Sequence, residues 1–370
     1  MKNICFVTTG DIRSIATAKR ALGLASPLVD LGWNVYILIE DTPENRHRAA
    51  LECPSSVNVI FFEHCVSAWR EVRLKCALLR NIKLDFIYIC AFVFRNVVGK
   101  GIGAKILVEH SELQSSIPGI KWWKLPYVIL NEFASVLFSD GLLNASSYLQ
   151  EIYRKRAALL FRKKLPMLYF PYAYHTVSEE EVQIKAGIPN LNDGNKVFLF
   201  IGSIVAGYGA YTMVEALRIV SKCHPEARLF LLGKGGDFEK VQEYVEKVKL
   251  QEFVYMPGYV SEEDIPGLFS RADYFLSPMN DTVQDWARCP SKLYMYLPYG
   301  KPIVTCKIGE PAIVLGDEGT YYQPSSASSL ASAMCSLLDS GKTAIRVDAS
   351  KHTWMFRAKE FDNWISNAFL

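Results

Sequence analysis

Pro290-Ser291-Lys292-Leu293-Tyr294-Met295-Tyr296-Leu297-Pro298-Tyr299-Gly300-Lys301-Pro302-Ile303-Val304 is the stretch that decides how this chain is read. Its apolar spacing predicts an amphipathic helix of about two to three turns that ends at Gly300. An apolar strand, Pro302 to Cys306, follows at once. A serine and a lysine stand near the helix start, where free N–H groups and the positive dipole end favour an anion. A cation in a first turn is disfavoured unless an anion lies nearby, so Lys292 reads as a phosphate ligand. Ser291 suits a phosphate equally with a plain N-cap.

The same alternation of apolar runs and helical periods extends outward in both directions. Upstream, strands are expected at Ile4–Thr8, Val35–Ile39, Val57–Phe62, Asp85–Cys90, Lys105–Glu109 and Gly141–Asn144. Helices are expected at Thr17–Leu31, Ser67–Arg80 and Tyr127–Leu137, and Ser147-x-x-Gln150 reads as a capping box opening another. Residues 196–338 repeat the theme, with strands ending at Gly202 and Gly233. Gly187-Ile-Pro-Asn-Leu-Asn-Asp-Gly194 is rich in turn formers and marks a domain boundary. The expected architecture is α/β, with two Rossmann-like doubly wound domains at 1–186 and 187–348. A final helix, 349–370, returns to the first domain. Such sheets bind ligands at the carboxyl ends of their strands, so one cleft between the domains is expected to gather Thr8 to Asp11, Glu109 to Glu112, Gly202-Ser203 and Gly233 to Gly236.

Composition narrows the partners. The chain has 370 residues, half of them hydrophobic, and a net charge of +3. That charge is too mild to indicate a nucleic-acid binder. The positive balance lies in residues 1–184. Lys121-Trp122-Trp123-Lys124, the Arg70/Arg73/Lys75/Arg80 helix and the run from Tyr153 to Lys164 suit the headgroup region of an anionic membrane. Snorkelling side chains on a solvated surface would show the same composition. Nine cysteines without a Cys-x-x-Cys favour a reducing cytoplasm and argue against a zinc site. Met1 to Val7 lacks the features of a signal peptide. Trp122 to Leu143 is too broken by Asn131, Glu132 and Asp140 to span a bilayer.

In order and spacing, these segments resemble the glycosyltransferases of the GT-B fold, closest to glycosyltransferase family 4. Leu293 to Val304 is similar to the family's helix-Gly-x-Pro-Val strand, Val197 to Leu217 to its strand-Gly-loop-helix, and Arg228 to Gly235 to its strand-Gly-x-Gly. Val254 to Val260 resembles the segment lining the base pocket. Leu142 to Leu149 and Phe170 to His175 resemble less specific landmarks. The resemblance implies a nucleotide sugar held by the second domain and a glycan or lipid-linked acceptor held by the first. It implies no metal and no cofactor beyond the donor, since helix ends and basic side chains neutralise the phosphates. The implied donor-binding residues are Gly10, Gly202, Ser203, Gly233, Tyr259, Asp285, Ser291, Lys292 and Leu293. His110, with Glu109 or Asp11, is the implied reacting-centre group, and Glu112 is a competing carboxylate.

The chain departs from the pattern where phosphate and sugar are usually held. Ser203 and Tyr208 stand where the family has Arg and Lys, and Ala287 and Met295 where it has two glutamates. Three readings stay open: Lys292 takes over the phosphate, the donor carries less phosphate charge, or activity is lost. The leading expectation is a cytoplasmic, membrane-associated transferase of bacterial surface polysaccharide synthesis. The alternatives are a silent subunit scaffolding a partner enzyme and a sugar-nucleotide epimerase.

Overall fold

Ile4 and Phe6 face one side of the first strand and Cys5 and Val7 the other, and all four are fully buried. A strand with both faces covered belongs in the middle of a parallel sheet flanked by helices. The computed structural model describes residues 1–10, 16–99, 101–174, 191–192 and 194–369 and shows that arrangement twice. Every strand pairing among the described residues of the two sheets is parallel.

The chain divides into two units. The first comprises Met1–His175, Ala287–Cys289 and Ser350–Leu370, and the second Thr176–Trp286 and Pro290–Ala349. The expected boundary at 186/187 lies outside the described residues.

The first unit runs β1 (Asn3–Val7), α1 (Ala16–Asp30), β2 (Asn34–Glu40), α2 (Pro43–Glu52), β3 (Asn58–Phe62), α3 (Ala68–Leu79), β4 (Phe86–Ile89), β5 (Lys105–His110), α4 (Leu125–Phe138), β6 (Gly141–Asn144), α5 (Ser147–Leu159) and β7 (Met167–Tyr169). Its strand order is β3-β2-β1-β4-β5-β6-β7. One core layer holds Ile4, Phe6, Trp33, Tyr88 and Phe361. The layer on the other sheet face holds Val7, Ile87, Val108, Leu149 and Tyr153. Phe361 comes from the last helix of the chain, Trp354–Phe369, which packs on α1.

The second unit runs β8 (Lys196–Ile201), α6 (Ala210–Val220), β9 (Ala227–Leu232), α7 (Phe238–Lys247), β10 (Val254–Gly258), α8 (Ile265–Arg271), β11 (Tyr274–Ser277), α9 (Val283–Ala287), α10 (Ser291–Tyr296), β12 (Ile303–Thr305), α11 (Gly309–Leu315), β13 (Thr320–Tyr321) and α12 (Ala327–Ser340); the closing helix is α13. Its strand order is β10-β9-β8-β11-β12-β13. In each sheet the winding reverses, between β1 and β4 and between β8 and β11. A ligand crevice is expected outside the carboxyl ends at such a point.

Two local expectations are corrected. α5 is capped by Ser146, not Ser147: the Ser146 hydroxyl accepts from Leu149 N at 3.1 Å. Lys75 adds nothing to a basic surface, because it is fully buried, 3.0 Å from Glu71 and over the Phe62 ring. α2, β7, α9, α11 and β13 are further elements; they are short or carry too few apolar residues to announce themselves.

Candidate functional site

The second unit places three of the candidate residues together at the end of β8. Gly202 follows the strand with φ +146°, and Gly233 follows β9 with φ +126°. The two turns touch, since a Cβ on Gly233 would lie 2.1 Å from the Gly202 carbonyl oxygen. No residue with a side chain fits there without moving backbone. The Lys292 ammonium lies over the same turn, 3.7 Å from the centroid of the Phe200 ring. A Cβ on Gly202 would meet its Nζ at 2.9 Å. The cation thus sits over a half-buried glycine turn at the switch point, a position suited to phosphate.

Tyr296 fixes this geometry. It is fully buried, stacked on Phe275 at 4.2 Å between centroids. Its hydroxyl accepts from Ile201 N at 3.1 Å and donates to Leu276 O at 3.3 Å. One phenol therefore ties α10 across β8 and β11. After Tyr296 the backbone tightens to a 3-10 turn over Leu297–Tyr299 and stops at Gly300, φ +61°. Pro298 and Pro290 lack the N–H that a continuing helix would use.

The remaining donor candidates differ in what they present. Ser203 and Tyr259 are exposed. Ser291 is the first residue of α10, and Pro290 holds the N-cap position, so the simple cap reading of Ser291 fails. The Leu293 side chain is fully buried, leaving only its backbone to offer. Asp285 is a loop brace: its Oδ2 accepts from Asn280 N at 3.0 Å and from the Thr282 hydroxyl at 3.1 Å. Gly10 belongs to the first unit, where its N–H donates to Glu40 Oε2 at 3.1 Å and its carbonyl accepts from Asn45. Asp11 lies outside the described residues.

Glu109 and His110 are not brought together. They are consecutive on β5 and point to opposite faces of the sheet. Glu109 lies in the layer of Tyr88, 2.6 Å from Arg20 Nε and accepting from the Tyr88 hydroxyl at 2.8 Å. Arg20 also donates to the carbonyls of Phe170 and Pro171. Burial raises the Glu109 carboxyl above its ordinary range, against the opposing pull of Arg20 and Tyr88. This carboxylate holds the fold together, and the expectation of a presented base is corrected accordingly.

His110 lies on the other face, stacked on Tyr153 at 3.7 Å between centroids, with Nε2 3.0 Å from the Ser135 hydroxyl. Burial, with the Arg156 guanidinium, pushes its pKa down to about 3. The imidazole is therefore neutral at physiological pH, able to hydrogen-bond but without an acidic proton to give. Asn144 pairs with it across the β5–β6 register and is fully buried. Both of its amide atoms lack a hydrogen-bond partner among the described residues.

A short segment from late in the chain joins this face. The Ser146 hydroxyl donates to Ala287 O at 2.6 Å, and Tyr172 N donates to Cys289 Sγ at 3.2 Å. Between them, Arg288 brings its charge to Glu112, whose carboxyl burial raises and Arg288 lowers. Glu112 is thus half-buried beside Arg288, while Glu109 is enclosed in the opposite layer. Sequence spacing gave no sign of this, because the contact joins positions far apart in the chain. No group of three or more His, Cys, Asp or Glu among the described residues is arranged to hold a metal ion.

Residues 182–352 match the family model described as "Glycosyl transferases group 1". Mannosylfructose-phosphate synthase of Agrobacterium fabrum is 28% identical over 89 residues, 22% of this chain and 20% of that protein. Poly(glycerol-phosphate) alpha-glucosyltransferase of Bacillus subtilis is 43% identical over 51 residues, 14% of this chain and 8% of that protein. The chain thus spans a fifth or less of the curated relatives it matches. HepE of Anabaena, solved in complex with UDP and glucose, superposes with a TM-score of 0.77 at 15% identity, covering 99% of this chain and 100% of that one.

Proposed function

We propose that this chain, which has the GT-B glycosyltransferase fold and matches the group 1 family over residues 182–352, moves one sugar from a nucleotide-sugar donor to an acceptor. The observation that carries the reading is the Lys292 ammonium over the Gly202–Gly233 turn. It supplies a cation and approachable backbone where the Arg and Lys of the resemblance are replaced by Ser203 and Tyr208. Similar folds solved with UDP or UDP-glucose support a nucleotide sugar as the donor. The phosphate charge is met by Lys292 and backbone N–H groups without a metal, and the donor is a substrate, with no further cofactor. In the first unit, neutral His110 hydrogen-bonds the reacting sugar or acceptor, and Glu112 is the candidate base. The acceptor is a glycan or a lipid-linked glycan of bacterial surface polysaccharide synthesis, used by a cytoplasmic, membrane-associated enzyme.

A thermal-shift panel of UDP, GDP, dTDP, ADP and CMP tests this, because stabilisation follows ligand concentration over its dissociation constant. One nucleoside diphosphate is expected to stabilise the chain. Lys292→Ala is expected to weaken it about tenfold or more, about 1.4 kcal/mol. A response to none of the five sinks the transferase and leaves the silent scaffold, which the loss of glutamate at Met295 and Ala287 would suit. Turnover of a nucleotide sugar without any acceptor would identify the epimerase instead.

A further inference from the structure

α4 is built inside out. Its polar residues face the protein: Asn131 donates to Phe92 O at 2.9 Å, and Glu132 accepts from Ser115 N at 2.9 Å and pairs with Arg156 at 2.6 Å. Ser135 holds His110. Its other side carries Tyr127, Ile129, Leu130 and Leu137, exposed by 63, 37, 67 and 54%. Positions 123, 127, 130 and 137 recur at helical steps and form one stripe. The preceding turn adds Trp122 and Trp123, 80 and 55% exposed.

The stripe continues past the helix. Arg162 donates to the carbonyls of Val136 and, at 2.7 Å, Ser139, so the turn after α5 lies against the end of α4. Leu159 at the end of α5 is exposed by 68%, and Phe161 in that turn by 94%, the latter at φ +57°. The left-handed residue closes α5, with Arg162 N donating to Ala157 O at 2.7 Å, and leaves the Phe161 ring in solvent. Around the stripe the exposed charges of α4, its entry turn and the turn after α5 are Lys121, Lys124, Lys163 and Lys164, and no acidic residue there is exposed. On α5 itself, exposed Glu151 lies 3.0 Å from Arg154 and 3.4 Å from Lys155.

We propose that the outer face of α4, with Trp122, Trp123 and Phe161, seats this chain on an anionic lipid bilayer. Tryptophan and tyrosine settle at the headgroup boundary, leucine and isoleucine reach the acyl chains, and lysines meet lipid phosphates. An isologous pairing of two copies would instead set the same lysines against each other. The inference deepens the proposed function, because the inner side of the same helix holds His110. It rests on the membrane association proposed there and not on the transfer step, since docking requires no transfer.

Co-sedimentation of the full chain with vesicles of phosphatidylcholine alone, and of equimolar phosphatidylcholine and phosphatidylglycerol, tests it. Binding is expected to the phosphatidylglycerol vesicles, weakening with salt. The triple variant Trp122→Ser/Trp123→Ser/Leu130→Ser is expected to lower partitioning about tenfold or more, and Lys121→Glu/Lys124→Glu several-fold. Ile313→Ser, on an exposed position of α11, is expected to leave it unchanged. Circular dichroism melting identifies any variant that fails to fold, and the charge variant then decides. The proposal is overturned if the native chain ignores phosphatidylglycerol vesicles or if folded triple and charge variants bind as it does. It is also overturned if the native chain is a concentration-dependent dimer that the triple variant makes monomeric. A nucleotide thermal shift persisting without vesicle binding would sink the docking and leave the transferase reading standing.

Discussion

His110 shows how the burial of one side chain, proposed above to contact substrate, bears on stability. Its stack on Tyr153 and its contact with Ser135 fix the ring, while burial holds the pKa down at about 3. The unfolded chain takes up that proton near pH 6.5 and the folded chain does not. Stability from this residue is therefore complete above pH 6.5 and falls by about 1.4 kcal/mol per unit as the pH drops toward 3. Between pH 7 and pH 5 it should cost about 2 kcal/mol. His110→Gln does not titrate and should remove about that much of the pH dependence. Urea titrations of both proteins at the two pH values measure it; equal differences would mean that His110 is charged in the fold. Glu109, one residue earlier, cannot share the task, because strand geometry sends it to the opposite layer with Arg20 and Tyr88.

Capping shows the same interplay at the scale of an element. The Ser146 hydroxyl caps α5 through Leu149 N and also donates to Ala287 O, joining residues 141 apart. Ser146→Ala removes both bonds and should cost about 1–2 kcal/mol, whereas Ser147→Ala should cost well under half of that. A denaturation midpoint on each variant checks the difference. In Ser146→Ala the half-buried Cys289 should also react faster with a thiol reagent as residues 287–289 loosen. The capping-box spacing at Ser147 was legible in sequence but off by one residue, because Ser-Ser leaves the choice to the chain's entry angle. Strands were the most legible feature: buried parallel strands are continuous apolar runs, and Gly141–Asn144 matches the expected bounds. The pairing of Gly202, Gly233 and Lys292 was legible in part, since a helix start and two strand-ending glycines carry local signals. The return of Ala287–Cys289 to the first unit, the inward turn of Lys75 and the outward apolar face of α4 were not. Each depends on which side of an element meets a partner distant in sequence, and periodicity alone fixes a face without saying what covers it.

For the whole molecule, the end of the chain completes what its beginning starts. Phe361 of α13 is fully buried in the first unit and packs on Trp33, Tyr88 and Phe170, with ring centroids 5.7, 6.0 and 6.1 Å away. The next residue, Asp362, accepts from Lys2 Nζ and from Trp33 Nε1, each at 2.7 Å. Tyr88 is also the phenol that donates to Glu109, so the closing helix supports the buried Arg20–Glu109 pair through one ring. Phe361→Ala leaves a large void against Tyr88 and should cost about 3–5 kcal/mol. If α13 closes this core, hydrogen exchange should quicken most in β1, β4 and β5, the strands beneath it. Asp362→Asn, which keeps the ring and weakens only the polar ties, should cost about 1–2 kcal/mol. A Phe361→Ala chain with unchanged denaturation and unchanged exchange in those strands would mean that the first unit is complete without its last helix.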